Sequence, residues 1–283
     1  MRLGDQRQST NIDDRRGRRV GGPVGLGGGG LGMILVVLLI SWLTGTNPLS
    51  LLQVTGGLTP GGTEAGPPPV DDGQSTFIKQ ILGDLEETWG EIFAQAGERY
   101  SPPVLVLFED TVQSACGSAS AATGPFYCPA DRKVYLDLSF FRELDERFGA
   151  PGDFAQAYVV AHEVGHHIQN ELGVNAEVSR LQQRSSEVEA NGLSVRMELQ
   201  ADCYAGVWGN HAARQEMLDA GDVDEGLRAA AAIGDDRLQR EARGRVAPES
   251  FTHGTSAQRA HWLRTGLSSG RIEDCDTFRA GAP

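Results

Sequence analysis

His162-Glu163-Val164-Gly165-His166 places two histidines four residues apart with a glutamate beside the first. On an α-helix, residues i and i+4 share a face, so both imidazoles can converge on one metal ion. Glu163, one position round, then faces the ion's open coordination position. This is the spacing zinc hydrolases use to join two nitrogen ligands to a carboxylate base. The flanks agree. Tyr158 to Ala161 are uncharged, Val164 and Gly165 are small and neutral, and Ile168 is apolar. A solvated helix would carry charges at those positions.

Catalytic zinc normally keeps three protein ligands and one water. A metzincin would have Gly at position 169 and His at 172, where this chain has Gln169 and Leu172. That class is excluded. The other common solution is a carboxylate from a later helix, and Met197-Glu198-Leu199-Gln200-Ala201-Asp202 offers one. Glu198 is the expected third ligand. Asp202, four residues on, is expected to accept a hydrogen bond from the far nitrogen of a ligating histidine. The plain alternative is a pair of surface acids. The neutral neighbours Leu199, Ala201, Cys203, Tyr204, Val207 and Trp208 instead predict a buried helix, where an unpaired carboxylate would be costly. Glu187 and Glu189 are the fallback ligands. One catalytic Zn2+ is thus expected on His162, His166 and Glu198, with Glu163 as general base. His253 is the nominee for a stabiliser of the developing oxyanion, against the plainer alternative of a loop histidine. His167, His211 and His261 are expected to be surface or packing residues.

These residues need elements to hold them. Apolar residues recur at helical steps from Phe77 to Phe93, predicting a helix from Ser75 to Gly97. Pro102 to Phe108 and Lys133 to Phe141 read as strands, separated by a Gly/Ser/Ala loop with the first two cysteines. The signature helix should start near Pro151 and run past Gln169. Helical stretches follow at 187–217, 222–240 and 255–267, with Asp222 and Glu225 resembling a capping pair. A small sheet plus active-site helix, then a helical second half, makes an α+β domain with the layout of zinc peptidases. The strand from Val134 to Phe141 is the expected cleft edge for an extended peptide substrate.

The net charge of −13 argues against a nucleic-acid partner. Residues 1–19 oppose that sign with six Arg against three Asp, and no charged residue occurs from Val20 to Thr63. The resulting expectation is a basic cytoplasmic leader (1–19), a transmembrane anchor (20–44), a Gly/Pro-rich linker (45–74) and an exported zinc metallopeptidase domain (75–283). A cleaved signal peptide is the alternative, and either would export the domain. Export makes disulfides the expectation. Cys116–Cys128 would close a short loop and leave Cys203–Cys275, against an alternative of four buried thiols. Nothing in the sequence sets an oligomeric state.

The chain also resembles a bacterial family of neutral zinc metallopeptidases (YpfJ-like). The resemblance rests on the leader Arg7 to Gly17, the Gly-rich apolar segment, and Tyr135 to Phe141. It continues through His162 to Gln169, Glu198 to Gly206, and Phe251 to Ser256. The leader departs from the aromatic-containing start of that family. The resemblance implies a membrane-associated zinc peptidase with His162 and His166 as ligands and Glu163 as base. A competing class is a zinc-stabilised scaffold in a membrane complex without turnover. Glu163 argues against it, because holding the metal does not require that residue.

Overall fold

The computed structural model describes residues 1–17, 72–279 and 281. The expected anchor and nearly all of the expected linker lie outside the described residues. The chain divides into two compact units, Met1–Arg15 with Val70–Pro283 and Arg16–Pro69. The first unit contains the motif.

Its strands are β1 (Ile12–Asp14), β2 (Val104–Phe108), β3 (Thr111–Ser114), β4 (Gly117–Ser120), β5 (Phe126–Cys128) and β6 (Lys133–Asp137). Its helices are α1 (Gly73–Gln95), α2 (Ser139–Glu146), α3 (Asp153–Glu171), α4 (Val174–Gln182), α5 (Glu187–Arg214), α6 (Asp222–Ala232), α7 (Asp235–Arg243) and α8 (Ser256–Ser269). The mixture is α+β.

One sheet has the order β1-β2-β6-β5, with β1, β2 and β6 parallel and β5 antiparallel to β6. β3 and β4 form a separate antiparallel hairpin in the stretch expected to be loop. The second expected strand stops at Asp137. Its carboxylate accepts hydrogen bonds from Ser139 N (2.8 Å) and Asp110 N (3.0 Å), which turns the chain into α2. β6 is flanked on both sides, so the expected cleft edge at Val134 to Phe141 is corrected: β5 is the outer strand there.

α1 begins with a reciprocal capping box between Asp72 and Ser75 and buries Ile78, Ile81, Leu82, Leu85 and Trp89 completely. Truncating any of these apolar side chains to alanine would cost roughly 2–5 kcal/mol. Trp208 of α5 donates to Asp84 of α1 across 2.6 Å, tying the two helices through an otherwise apolar interface. α3 crosses α5 closely because Gly165 has no side chain: a Cβ there would lie 2.9 Å from the Ala201 carbonyl oxygen. α8 approaches α5 through Gly206 and Gly266, where a Cβ would meet Leu263 O at 2.2 Å and Cys203 O at 2.0 Å. Cys203 is bonded to Cys275, and Cys116 to Cys128.

The expected helix at 222–240 is two helices, broken at Gly234. That residue lies so close to the start of α8 that a Cβ would fall 2.2 Å from Ser256 N. The Asp222–Glu225 capping pair is also corrected. Gly221 is the N-cap; Asp222 accepts from Asp219 N (2.7 Å), while Glu225 accepts from Phe154 N in α3 (3.3 Å).

The leader has a different role from the one expected. β1 joins the sheet in register Ile12↔Leu105 to Asp14↔Leu107, and Ser9 N donates to Lys79 O of α1 (2.9 Å). Arg7 pairs with Glu86 and Glu87, each at 2.7 Å. Part of the basic charge thus meets the acidic face of α1. Residues 1–15 and the motif share one unit, so one bilayer crossing cannot separate a cytoplasmic leader from an exported domain. Among the described residues, no helix is long and apolar enough to cross a membrane. The long helices α1, α3 and α5 all interrupt their apolar residues with charged ones. The expectation of a single-pass membrane protein with an extracytoplasmic domain is corrected accordingly.

Candidate metal centre

α3 brings His162 and His166 to one face, and α5 brings Glu198 opposite them. One ligand atom from each of the three lies within 4.8 Å of the others. His162 Nε2 is 3.2 Å from Glu198 Oε2, and His166 Nε2 is 3.4 Å from Glu198 Oε1. One carboxylate therefore spans both imidazoles.

The opposite ring nitrogens fix the tautomers. His162 Nδ1 lies 2.8 Å from Asp202 Oδ1, and His166 Nδ1 lies 2.9 Å from Gln169 Oε1. Both partners are acceptors, so each Nδ1 carries the donated proton, and a ring that gave up its other proton to a metal would present its Nε2 lone pair on the side of Glu198. The amide of Gln169 is itself oriented, since its Nε2 donates to Met197 O (2.7 Å) and Gln200 Oε1 (3.1 Å). Two imidazole nitrogens and one carboxylate, beside an open cleft, match the donor set of a catalytic zinc.

Asp202 is fully buried and is held from three directions. Arg259 donates from Nε to Oδ2 (2.9 Å) and from Nη2 to Oδ1 (3.0 Å), and Tyr158 OH donates to Oδ1 (2.5 Å). Burial would raise this carboxyl, but the Arg259 guanidinium and then His162 bring it below its ordinary range. Burial also opposes protonation of His162. The Asp202 carboxylate, then Glu198, outweighs it and pushes that imidazole up to about 10. Burial raises the Glu198 carboxyl, yet the imidazoles of His166 and His162 hold it well below the usual value. A divalent cation would take the place of those imidazole protons against the same negative charge.

Glu163, 8 % exposed, lines the cleft with the three candidate ligands. Burial raises its pKa, partly countered by His162 and His166. The cleft has a volume of about 600 Å3 and also contains His253. His253 is half exposed, with Nδ1 3.2 Å from Asp235 Oδ1. Asp235 Oδ2 in turn accepts from the backbone nitrogens of Thr252 (2.8 Å), His253 (2.6 Å) and Gly254 (3.1 Å), fixing the loop. The hydrogen bond to Asp235 raises the His253 pKa against the effect of burial.

The fallback ligands are elsewhere: Glu187 and Glu189 occupy the exposed first turn of α5, where Glu189 closes a capping box with Ser186. His261 is exposed and His211 half buried. His167 is wholly buried between Tyr127 OH (3.1 Å) and Ser101 O (2.7 Å), and burial pushes it down to about 4.

Four partners escape the sequence argument: Gln169, Tyr158, Arg259 and Asp235. Tyr158 precedes His162 by four and Gln169 follows His166 by three, so helical spacing alone could have placed both on the ligand face. Asp235 follows the helix-breaking Gly234, a weaker signal. Arg259 has none, being one Arg among many.

A buried helix-borne His pair, a carboxylate from a second helix and a cleft-facing glutamate define the class of zinc-dependent hydrolases. The family described as "Putative neutral zinc metallopeptidase" matches residues 1–278, and the chain belongs to that family. Membership implies zinc as the cofactor. YpfJ of Escherichia coli (strain K12), itself uncharacterised, is 46% identical over 292 residues, spanning 98% of this chain and 99% of the relative. Rv2575 of Mycobacterium tuberculosis (strain H37Rv), also uncharacterised, is 46% identical over 192 residues, 64% of either chain. No solved structure matches significantly.

Proposed function

We propose that the protein is a zinc-dependent endopeptidase of the zincin type, with His162, His166 and Glu198 as ligands of one catalytic ion and Glu163 as general base. The observation that carries this is the Glu198 carboxylate facing both Nε2 atoms while both Nδ1 atoms are engaged elsewhere. Bound there, zinc would polarise the scissile carbonyl and acidify a water.

Glu163 takes one proton from the attacking water and passes it to the leaving nitrogen as the C–N bond breaks. Burial raises its pKa above that of an exposed glutamate, the direction required of a group that must both accept and release a proton. His253, held through Nδ1 by Asp235, presents its other ring nitrogen as a donor to the developing oxyanion. The outer strand β5 and the turn before it line the cleft, so an extended substrate is proposed to lie along that strand.

The test uses Glu163→Gln. The variant should bind as much zinc as wild type but cleave an unstructured protein about 10²- to 10⁴-fold more slowly. Equal zinc with equal cleavage, including none by either protein, would sink the peptidase assignment in favour of a zinc-holding scaffold. Glu198→Ala should release zinc while Glu187→Ala retains it; unchanged zinc in the Glu198 variant removes it from the ligand set.

A further inference from the structure

The two disulfides stand in opposite surroundings. Cys203 and Cys275 are 0 % and 1 % exposed, between α5 and the segment that follows α8. Cys116 lies exposed at the tip of the β3–β4 hairpin and is bonded to the buried Cys128 at the end of β5. A thiolate in solvent can therefore reach Cys116, whereas the other bond is open to attack only after the helices around it part.

The accessible bond encloses one wall of the cleft. Its cysteines are 12 residues apart, and the run between them from Ala121 to Tyr127 lines the cleft without a gap. No residue from Gly117 to Tyr127 is buried, so this stretch has little apolar contact of its own to hold it. The hairpin forms no ladder with the main sheet. Val112 keeps it on the domain by joining a small apolar cluster with Val106, Phe108 and Tyr135, and Ala121 N donates to Asp110 O (2.8 Å). The other end of the wall is firmer. β5 pairs with β6, Phe126 stacks on Tyr135 at 4.8 Å, and Tyr127 OH lies 3.1 Å from His167 Nδ1 in α3. Cys116–Cys128 is thus the covalent tie from the loosely held end of the wall to the firm one.

We infer that Cys116–Cys128 is a redox switch on the cleft: a dithiol reductant opens it, the wall from Gly117 to Phe126 loosens, and substrate is held less well while the metal ligands stay in place. The consequence for substrate rests on the peptidase function proposed above. His162, His166 and Glu198 lie on α3 and α5, outside the closed loop. One thiolate of the reductant attacks Cys116 Sγ, the S–S bond breaks, and Cys128 leaves as a thiolate that takes a proton. The reductant's second sulfur, its proton lost, attacks the mixed disulfide, and Cys116 leaves as the other thiol. The dithiol is oxidised to a disulfide by two electrons, and both of its protons end on the protein's cysteines.

The zinc-loaded protein is equilibrated with dithiothreitol at a series of reduced-to-oxidised ratios, its free thiols are alkylated and located, and backbone hydrogen exchange is followed. Cys116 and Cys128 should be alkylated at ratios that leave Cys203–Cys275 bonded. Exchange from Gly117 to Phe126 should then quicken about ten- to a hundredfold, with α3 unchanged. Zinc content should stay the same, and KM for an unstructured protein should rise about tenfold at nearly constant kcat, as for a wall that is competent a tenth of the time. Cys116→Ser, at an exposed position, should hold zinc, show the loosened wall without reductant and respond to it no further. Removal of zinc by the dithiol itself would appear equally in that variant. Opening of both disulfides together, or wall exchange that stays slow once Cys116–Cys128 has opened, overturns the switch, and so does cleavage that reduction leaves unchanged. A wall that loosens on reduction in a protein inert in both states keeps the redox-controlled wall and defeats the peptidase assignment.

Discussion

Two carboxylate–imidazole pairs face the same cleft and are built differently. Asp202–His162 is wholly inside the protein, 2.8 Å apart, and the acid's other partners are a guanidinium and a phenol. Asp235–His253 is 3.2 Å apart, its histidine is 51 % exposed, and the acid's other partners are three backbone N–H groups. The buried pair is locked by a second permanent charge, so it can orient a ring but has little freedom to change protonation. The exposed pair is held by neutral dipoles and borders solvent, so its histidine can exchange a proton. His166 supplies a third case, supported only by the neutral amide of Gln169. The same side-chain type thus serves fixed orientation or proton exchange according to what surrounds the acid.

The largest effect expected from breaking this contrast is that of Asp202→Ala. It strands Arg259, 2 % exposed, as a buried cation beside His162. Stability should fall by about 3–5 kcal/mol in chemical denaturation of the metal-free protein. Zinc affinity should fall about 10- to 100-fold in a competitive chelator titration. Asp202→Asn combined with Arg259→Met should restore most of the stability without restoring the affinity, because the stranded charge is gone while the charged acceptor for His162 is still missing. Wild-type stability in Asp202→Ala would show that Arg259 finds water instead.

Gln169→Met sharpens the comparison at the neutral support. It removes one neutral hydrogen bond to His166 and leaves the Gln200 amide oxygen without its Gln169 donor, a loss of about 1–3 kcal/mol. Zinc affinity should drop by no more than about tenfold, less than in the Asp202 variant. Equal losses of zinc in the two variants would mean that the charge of the supporting group is immaterial.

What the sequence could disclose follows the range of the forces involved. His162, His166, Glu198 and Asp202 were readable because the i, i+4 spacing is a local rule and the intervening apolar residues mark buried faces. α1 was readable for the same reason, within two residues at either end. The break between α6 and α7 was not, because it arises from the approach of Ser256, more than twenty residues along the chain. Nor was the fate of the leader: an Arg-rich stretch before an apolar run has the composition of a membrane flank, and only the parallel pairing of β1 with β2 makes it part of the sheet. Arg259 was hidden because the approach of α8 to α5, not local sequence, buries its charge.

The exposed pair yields the gentlest test. Its hydrogen bond to Asp235 raises the His253 pKa, so the imidazolium persists above the ordinary value of 6.5. The associated stability is fully present below the unfolded pKa and is lost as pH rises through the folded one. If His253 donates to the oxyanion as imidazolium, kcat/KM for peptide cleavage should decline on the alkaline side through the same raised pKa. Asp235→Asn keeps a side-chain oxygen for the three backbone donors but removes the charge. The alkaline limb should therefore move to lower pH, while the rate at the acidic plateau changes only a few-fold. Because His253 borders solvent, the shift should also shrink as salt is added. His253→Gln should abolish this limb and lower the plateau by about 10²- to 10³-fold. An alkaline limb at the same pH in wild type and Asp235→Asn would assign that ionisation to another group and leave Asp235 as an anchor for the loop alone.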